Sequence, residues 1–492
     1  MRSVGALTAA IALTLTTTAS MQTTTSALKD AATAMGAADV TTLQFTGSGR
    51  MFTVGQPPSA HEPWPPVELR SYTASIDYGS GSMRVEMLRF MGPVMPRGGG
   101  APFTGEQRQV QVVSGTSAWN VPQMPPGGGA AQAQPAAAAV PERMQLLWST
   151  PHGFVKAAMD NKATTRAAGS GTEVSFSVNG RKFVGTIDKA HHVERVRTWI
   201  ANDVLGDMPV EVAYSGYKDF GGVQFPARIV QTQGGYPALD LTISEVKKNP
   251  TVDISVPDNV RSAAAPAAPT VQSTKLADGV FYLTGGSHHS MAVDMGDHIV
   301  VLEAPLNEAR SEAVIAETKK VIPNKPIRYV VNTHVHFDHS GGLRTYVDEG
   351  ATVVTHQANQ AFYQKAWSAP RTLNPDRLSK SNKTAKFTTV TDKRVLTGAG
   401  GRTIELHLIK GNPHNAELLM AWLPDDKILF QSDMFQPLNP NQAVPPPSPT
   451  LTNFYENMTR LNIKPEQIPG GHGSRAGTMA DLNKALGKTA QQ

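Results

Sequence analysis

Two textures of apolar and polar positions divide the chain. Over the first half, short runs in which apolar residues alternate with polar ones occupy 43–54, 70–78, 83–88, 109–113, 173–178, 182–188, 193–201, 209–217, 224–233 and 239–246. Alternation with a period of two, punctuated by Gly, Asn and Asp, predicts half-buried strands of an antiparallel sheet. Segment 144–161 reads as the helix of this half. Two Pro/Gly-rich stretches, 92–103 and 121–141, are expected as flexible surface loops.

An Ala/Pro-rich stretch at 261–272 predicts a linker, and the texture changes after it. Apolar strands are expected at 280–284, 291–295, 298–302, 327–332, 351–355, 403–409, 417–423 and 427–431. Helices are expected at 308–320, 357–367, 451–461 and 478–486. Strands and helices mixed in this way predict α/β layers. The expected order is a leader at 1–25, a β-rich domain at 27–260, the linker, and a second domain at 273–492.

Composition narrows this picture. A chain of 492 residues exceeds one ordinary domain. Its 45 basic and 40 acidic residues leave a mild formal charge of +5, which gives no reason to expect nucleic acid as a partner. Cysteine is absent, so thiolate nucleophiles, disulfides and thiolate metal sites are excluded. Arg2, the Thr-diluted apolar stretch 4–15 and the small residues Thr18, Ala19 and Ser20 read as a bacterial-type signal peptide. The chain is therefore expected to be periplasmic or secreted. The apolar stretch is too short to span a bilayer, and no transmembrane segment is expected.

The chemistry concentrates after strand 327–332. His334, His336, Asp338 and His339 place four potential ligands within six residues. Alternate residues at a strand end project to one side, so His334 and His336 can reach one ion. Asp338 and His339 lie on the following turn and can reach a second. Gly341 and Gly342 permit a tight path onward. His414, Asp433 and His472 each follow a later apolar segment, in loops, where site residues belong in an α/β fold. Imidazole and carboxylate ligands suit zinc, with iron or manganese also tolerated.

From about Lys275 to Gln492, the run His334-x-His336-x-Asp338-His339, followed in order by His414, Asp433 and His472, resembles the metallo-β-lactamase-fold superfamily of metallohydrolases. The resemblance implies an αββα sandwich, two β-sheets flanked by helices, with two divalent metal ions at one edge. It implies that His334, His336 and His414 hold one ion, that Asp338, His339 and His472 hold the other, and that Asp433 bridges them. A metal-bridging hydroxide is then the nucleophile, and Asp338 handles its proton as the catalytic residue. A bridging Asp433 and the absence of Cys make the set more similar to glyoxalase-II-type thioesterases and lactonases than to β-lactamases. The expected activity is hydrolysis of an ester, thioester or lactone in a small-molecule substrate. A β-lactamase-like amidase is the alternative, and so is a lipid-binding protein whose metal domain is secondary. The superfamily's strand motif commonly ends in Asp where this chain has Glu303, which is expected to support the site from behind. His288 and His289, in a turn between two strands, are candidate substrate contacts, with a solvated turn as the competing reading. The first half resembles, in pattern only, the half-barrel sheets of lipoprotein-carrier proteins, and suggests a hydrophobic substrate.

Overall fold

The computed structural model describes residues 26–92, 97–100, 103–124, 128–439 and 442–488. The leader expected at 1–25 lies outside them.

The first half builds a 13-stranded sheet. Every neighbouring pair in it is antiparallel, and the first long strand, Thr42–Phe52, lies between Pro66–Asp77 and the last strand, Tyr236–Lys248. Alternation dictates which face is covered. Leu43 and Phe45 are buried while Thr42, Gln44 and Thr46 are less so, because successive side chains point to opposite faces. The helices Val140–Ser149 and Pro151–Asp160 pack on the covered face through Leu147, Phe154, Val155, Ala157 and Ala158.

The structure corrects the single helix expected over 144–161. Pro151 forces Thr150 into an extended conformation (φ −60°, ψ 150°), so two helices meet there. His152 follows the break. Its Nε2 donates to the Met35 carbonyl at 3.1 Å, and its ring stacks on Phe225. The stretch 121–141 is less loop-like than expected: Gln134–Pro135 pairs with Ser117–Val121, and a helical turn at Ala137–Ala139 leads into the first helix. An edge strand, Thr164–Ala168, is also present; its side chains are largely exposed, so it carries no apolar alternation.

The second half is a four-layer sandwich. A seven-stranded sheet runs from Gln272–Ala277 to Phe387–Val390; its first four strands are antiparallel, and Ile299–Leu302, Ile327–Val331, Thr352–His356 and Phe387–Val390 are parallel. A four-stranded antiparallel sheet begins at Lys393–Thr397 and ends at Ile428–Phe430. Val293, Val300, Leu302 and Val331 of the first sheet meet Ile404, Leu406, Leu419 and Phe430 of the second in one core. Glu308–Val321, Leu343–Glu349 and Gln357–Trp367 cover the outer face of the first sheet, and Pro449–Arg460 and Met479–Ala485 cover the second. This is the αββα arrangement expected, and its two-sided burial explains why the central strands read as continuous apolar runs.

Among the described residues, the two halves touch in two places. At one, Arg371 donates to the carbonyls of Asn202 (3.3 Å) and Val204 (2.8 Å), and the Asp207 carboxylate accepts from Thr372 Oγ1 (2.6 Å) and Leu373 N (3.0 Å). At the other, the loop between the first two strands of the β domain reaches the end of strand Ile327–Val331. No helix among the described residues is long and apolar enough to cross a membrane.

Candidate metal centre

Strand Ile327–Val331 lies inside its sheet, between Ile299–Leu302 and Thr352–His356, and the chain runs straight into the turn that carries the candidate ligands. Asn332 pins that turn. Its buried Nδ2 donates to the His334 carbonyl (2.6 Å), while its Oδ1 accepts from Tyr363 Oη (2.7 Å) and Thr355 Oγ1 (3.2 Å). The one-turn helix Phe337–Ser340 follows, and Ser340 Oγ donates back to the His336 carbonyl at 2.8 Å. Gly341 and Gly342 are required by space rather than by dihedral freedom: a Cβ on Gly341 would lie 1.8 Å from the Leu306 carbonyl oxygen, and one on Gly342 2.0 Å from Ser311 Oγ.

All seven residues expected as ligands converge, and His288 joins them. His334, His336 and His414 each offer a ring nitrogen within 4.8 Å of the others, and all three are buried. The Nε2 atoms of His334 and His414 are 3.2 Å apart. His288, Asp338, His339 and His472 form a second group of the same compactness, with the Nε2 atoms of His339 and His472 at 3.2 Å. Asp433 stands between the groups. Its Oδ2 lies 2.8 Å from His339 Nε2, 3.4 Å from His334 Nε2 and 3.5 Å from His414 Nε2, and its Oδ1 lies 3.0 Å from His472 Nε2. Asp433 occupies a left-handed backbone conformation (φ 63°), which Asp tolerates better than most residues. The buried Gln431 side chain holds this bend: its Oε1 accepts from Met434 N and Phe435 N, both at 3.1 Å.

The carboxylates and rings polarise one another. Burial, reinforced by neighbouring imidazoles, pushes His334 well down and His336 down to about 3, so both rings are neutral and carry lone pairs. Burial acts in the same direction on His339, but the Asp433 and Glu303 carboxylates outweigh it and hold His339 well above the usual histidine range. Burial would raise Asp433, yet His339 and His414 hold it well below the usual carboxylate range.

This donor set fits divalent cations. The nitrogen and carboxylate atoms converge on common centres, two pairs of Nε2 atoms lie 3.2 Å apart, and His336 Nδ1 is buried with no hydrogen-bond partner. A positive ion resolves each of these.

Two histidines of one turn have different places. His288 Nε2 lies 3.2 Å from Asp338 Oδ2, at the centre. His289 turns away: it is buried, its Nε2 donates to the Gly473 carbonyl at 2.6 Å, and its backbone N–H donates to the Gly471 carbonyl at 2.9 Å. In place of the substrate contact expected of it, His289 anchors the loop that carries His472.

Behind the centre, Glu303 is fully buried. Its Oε1 accepts from Thr333 N at 2.8 Å and its Oε2 lies 2.5 Å from His339 Nδ1, as expected of a residue supporting the site from behind. Two residues at the centre escaped sequence reasoning, Gln56 and Pro57 of the β domain. Gln56 Nε2 donates to Asp338 Oδ1 at 2.6 Å, and the Pro57 carbonyl accepts from His336 Nε2 at 2.9 Å. Nothing in the local sequence marks them beyond a Pro-rich stretch.

An αββα sandwich with convergent His and Asp groups at the ends of its strands defines a metal-dependent hydrolase. Residues 283–472 match the family model for the metallo-beta-lactamase superfamily. A search of the curated proteins gives no significant match. Among solved structures the chain is similar to a metallo-beta-lactamase from Pontibacter korlensis, at 19% identity over 45% of this chain and 100% of that one, with a TM-score of 0.34. It is also similar to a metallo beta lactamase from Hirschia baltica, at 17% identity over 44% and 96%, with a TM-score of 0.32.

Proposed function

We propose that the chain is an exported hydrolase that holds two divalent cations, zinc in the first instance, and cleaves an ester, thioester or lactone carbonyl. The observation that carries this reading is Asp433, whose two oxygens face His339, His334 and His414 on one side and His472 on the other. With a carboxylate shared in this way, His334, His336 and His414 would hold one ion and Asp338, His339 and His472 the other. When bound, such ions polarise a carbonyl and bring the pKa of water towards neutrality. The protein's own groups do the rest. Asp338 receives the proton of the attacking water, and its two oxygens face Gln56 Nε2 and His288 Nε2, which fix the direction of the carboxylate.

Carbonyl esters are favoured over β-lactams by ligand identity, because Asp433 is present and Cys is absent. The test is turnover by the metal-reloaded protein on a thioester, a lactone, an aryl ester, a β-lactam and a phosphodiester. Metal-stripped protein and Asp433→Ala run beside it. Turnover of one carbonyl ester class, lost in both controls, supports the reading. Turnover of the β-lactam alone replaces it with the amidase, and no turnover with no bound metal overturns it.

A further inference from the structure

The loop Thr53–Pro65 belongs to the β domain, yet it seats on both segments that carry the first group of histidines. Gly55, Pro57, Pro58, Ser59 and Ala60 are buried. Three successive contacts face the turn after strand Ile327–Val331. The Gly55 carbonyl accepts from Phe337 N at 3.0 Å, the Pro57 carbonyl accepts from His336 Nε2 at 2.9 Å, and Gln56 Nε2 donates to Asp338 Oδ1 at 2.6 Å. Two more face the His414 segment. Asn415 Nδ2 donates to the same Pro57 carbonyl at 3.1 Å, and Ala416 N donates to the Pro58 carbonyl at 2.8 Å. Segment 97–100 backs the loop, with Gly99 N donating to the Gln56 carbonyl at 3.0 Å and Gly98 N to the Pro413 carbonyl at 2.9 Å.

The proton inventory gives these contacts chemical meaning. A carbonyl oxygen only accepts, so His336 Nε2 must carry the hydrogen. The neutral ring then has its lone pair at Nδ1, the atom that is buried without a partner. Metal-binding histidines are oriented in this way by an acceptor on the far nitrogen. Here the acceptor comes from the other domain. Gln56 does the same for Asp338, holding Oδ1 so that the carboxylate cannot rotate freely.

We propose that the loop Thr53–Pro65 of the β domain completes the metal centre, with Pro57 fixing the tautomer of His336 and Gln56 fixing the carboxylate of Asp338. Both are positioning residues. The inference rests on the two-ion reading above, and it assigns the first domain a role at the active site beyond delivery of substrate. The sandwich alone then lacks the acceptor for His336.

The test uses the full chain, metal-stripped and titrated with cobalt, whose absorption reports each site's geometry. Gln56→Leu removes the donor to Asp338 at a half-buried position. Gly55→Ala places a Cβ 2.5 Å from the Phe337 ring and lifts the loop from the turn. Arg371→Ala loosens the other contact between the domains and serves as the control. The wild type is expected to bind two cobalt ions. Gln56→Leu should weaken the ion beside Asp338 by roughly tenfold or more, the scale on which such outer partners act. Gly55→Ala should weaken the ion beside His336, and in the metal-free protein should shift the His336 ring nitrogens, read by nitrogen-15 NMR, away from the Nε2–H tautomer. Arg371→Ala should leave both affinities unchanged. The proposal is overturned if both loop variants bind both ions with wild-type affinity and unchanged ring signals. Equal weakening by Arg371→Ala also overturns it, since any loosening of the domains would then suffice. A wild-type chain that binds no cobalt sinks the metal reading itself, an outcome distinct from wild-type binding that survives the loop variants.

Discussion

Glu303→Gln is the sharpest probe of how the centre is held. The carboxylate has two partners: Thr333 N, which donates to Oε1, and His339 Nδ1 at Oε2. Glutamine has nearly the same shape but only one acceptor oxygen. If that oxygen keeps Thr333 N, the amide N–H₂ faces the Nδ1–H of His339, donor against donor. If the amide flips, Thr333 N loses its acceptor. Glu303 and His339 are both buried, so water cannot relieve either arrangement. In the metal-free protein the ring escapes the first arrangement by moving its hydrogen to Nε2, where Asp433 Oδ2 lies 2.8 Å away, so the stability loss stays below the about 1–3 kcal/mol of an unpaired buried donor and the cost falls on metal binding. For His339 to bind through Nε2, its Nδ1 must hold the hydrogen, and the carboxylate is what stabilises that tautomer. Loss of such a partner weakens metal binding by roughly ten- to a hundredfold, or about 1.4–2.7 kcal/mol. Competition against a chromophoric chelator measures the affinity, and denaturant unfolding of the stripped protein measures the stability. Glu303→Gln with affinity within twofold of wild type would refute the claim that Glu303 orients His339.

Three further outcomes are expected. His152 is held neutral by burial at a pKa of about 4 against an ordinary 6.5, so the unfolded chain takes up its proton first as pH falls. Stability present above pH 6.5 should therefore drain away towards pH 4, by about 3 kcal/mol at about 1.4 kcal/mol per unit; His152→Gln should flatten this acid limb in denaturant titrations, and an unchanged slope would contradict the assignment. Gly341→Ala should destabilise the sandwich by about 1–3 kcal/mol through overpacking against the Leu306 carbonyl, and a wild-type melting temperature would show that the turn has slack. Zinc at about a thousandfold above its Kd should stabilise the fold by about 4 kcal/mol; calorimetry with and without chelator tests this, and coincident melts would mean that the ions do not bind the folded state preferentially.

The sandwich was legible because strands buried on both faces leave apolar runs such as 299–302 and 419–423. The candidate ligands were legible because four of them crowd into six residues and three more follow in order. What failed to show was anything carried by the backbone or by exposure. Pro57 contributes only a carbonyl, a group every residue has, to a histidine 279 positions away. Strand Thr164–Ala168 lies at a sheet edge with few buried side chains, so no alternation marks it. The break at Thr150 was written in Pro151, but apolar residues on both sides masked it. His289 stands beside His288 in sequence and is turned away from the centre only because the loop carrying His472 needs its hydrogen bonds.

The linker has a consequence of its own. Residues 263–270 are exposed, and neither region of contact between the domains depends on the segment itself. A single cut there leaves every hydrogen bond of both contacts in place and removes only the tether. Short flexible tethers hold their ends at millimolar effective concentration. Before the cut, the loop Thr53–Pro65 meets its groove as an intramolecular partner; after it, occupancy depends on dilution. A chain nicked in the linker thus turns the strength of the domain contact into a measurable dissociation constant, and metal loading should tighten it by the same factor by which the loop tightens the metal.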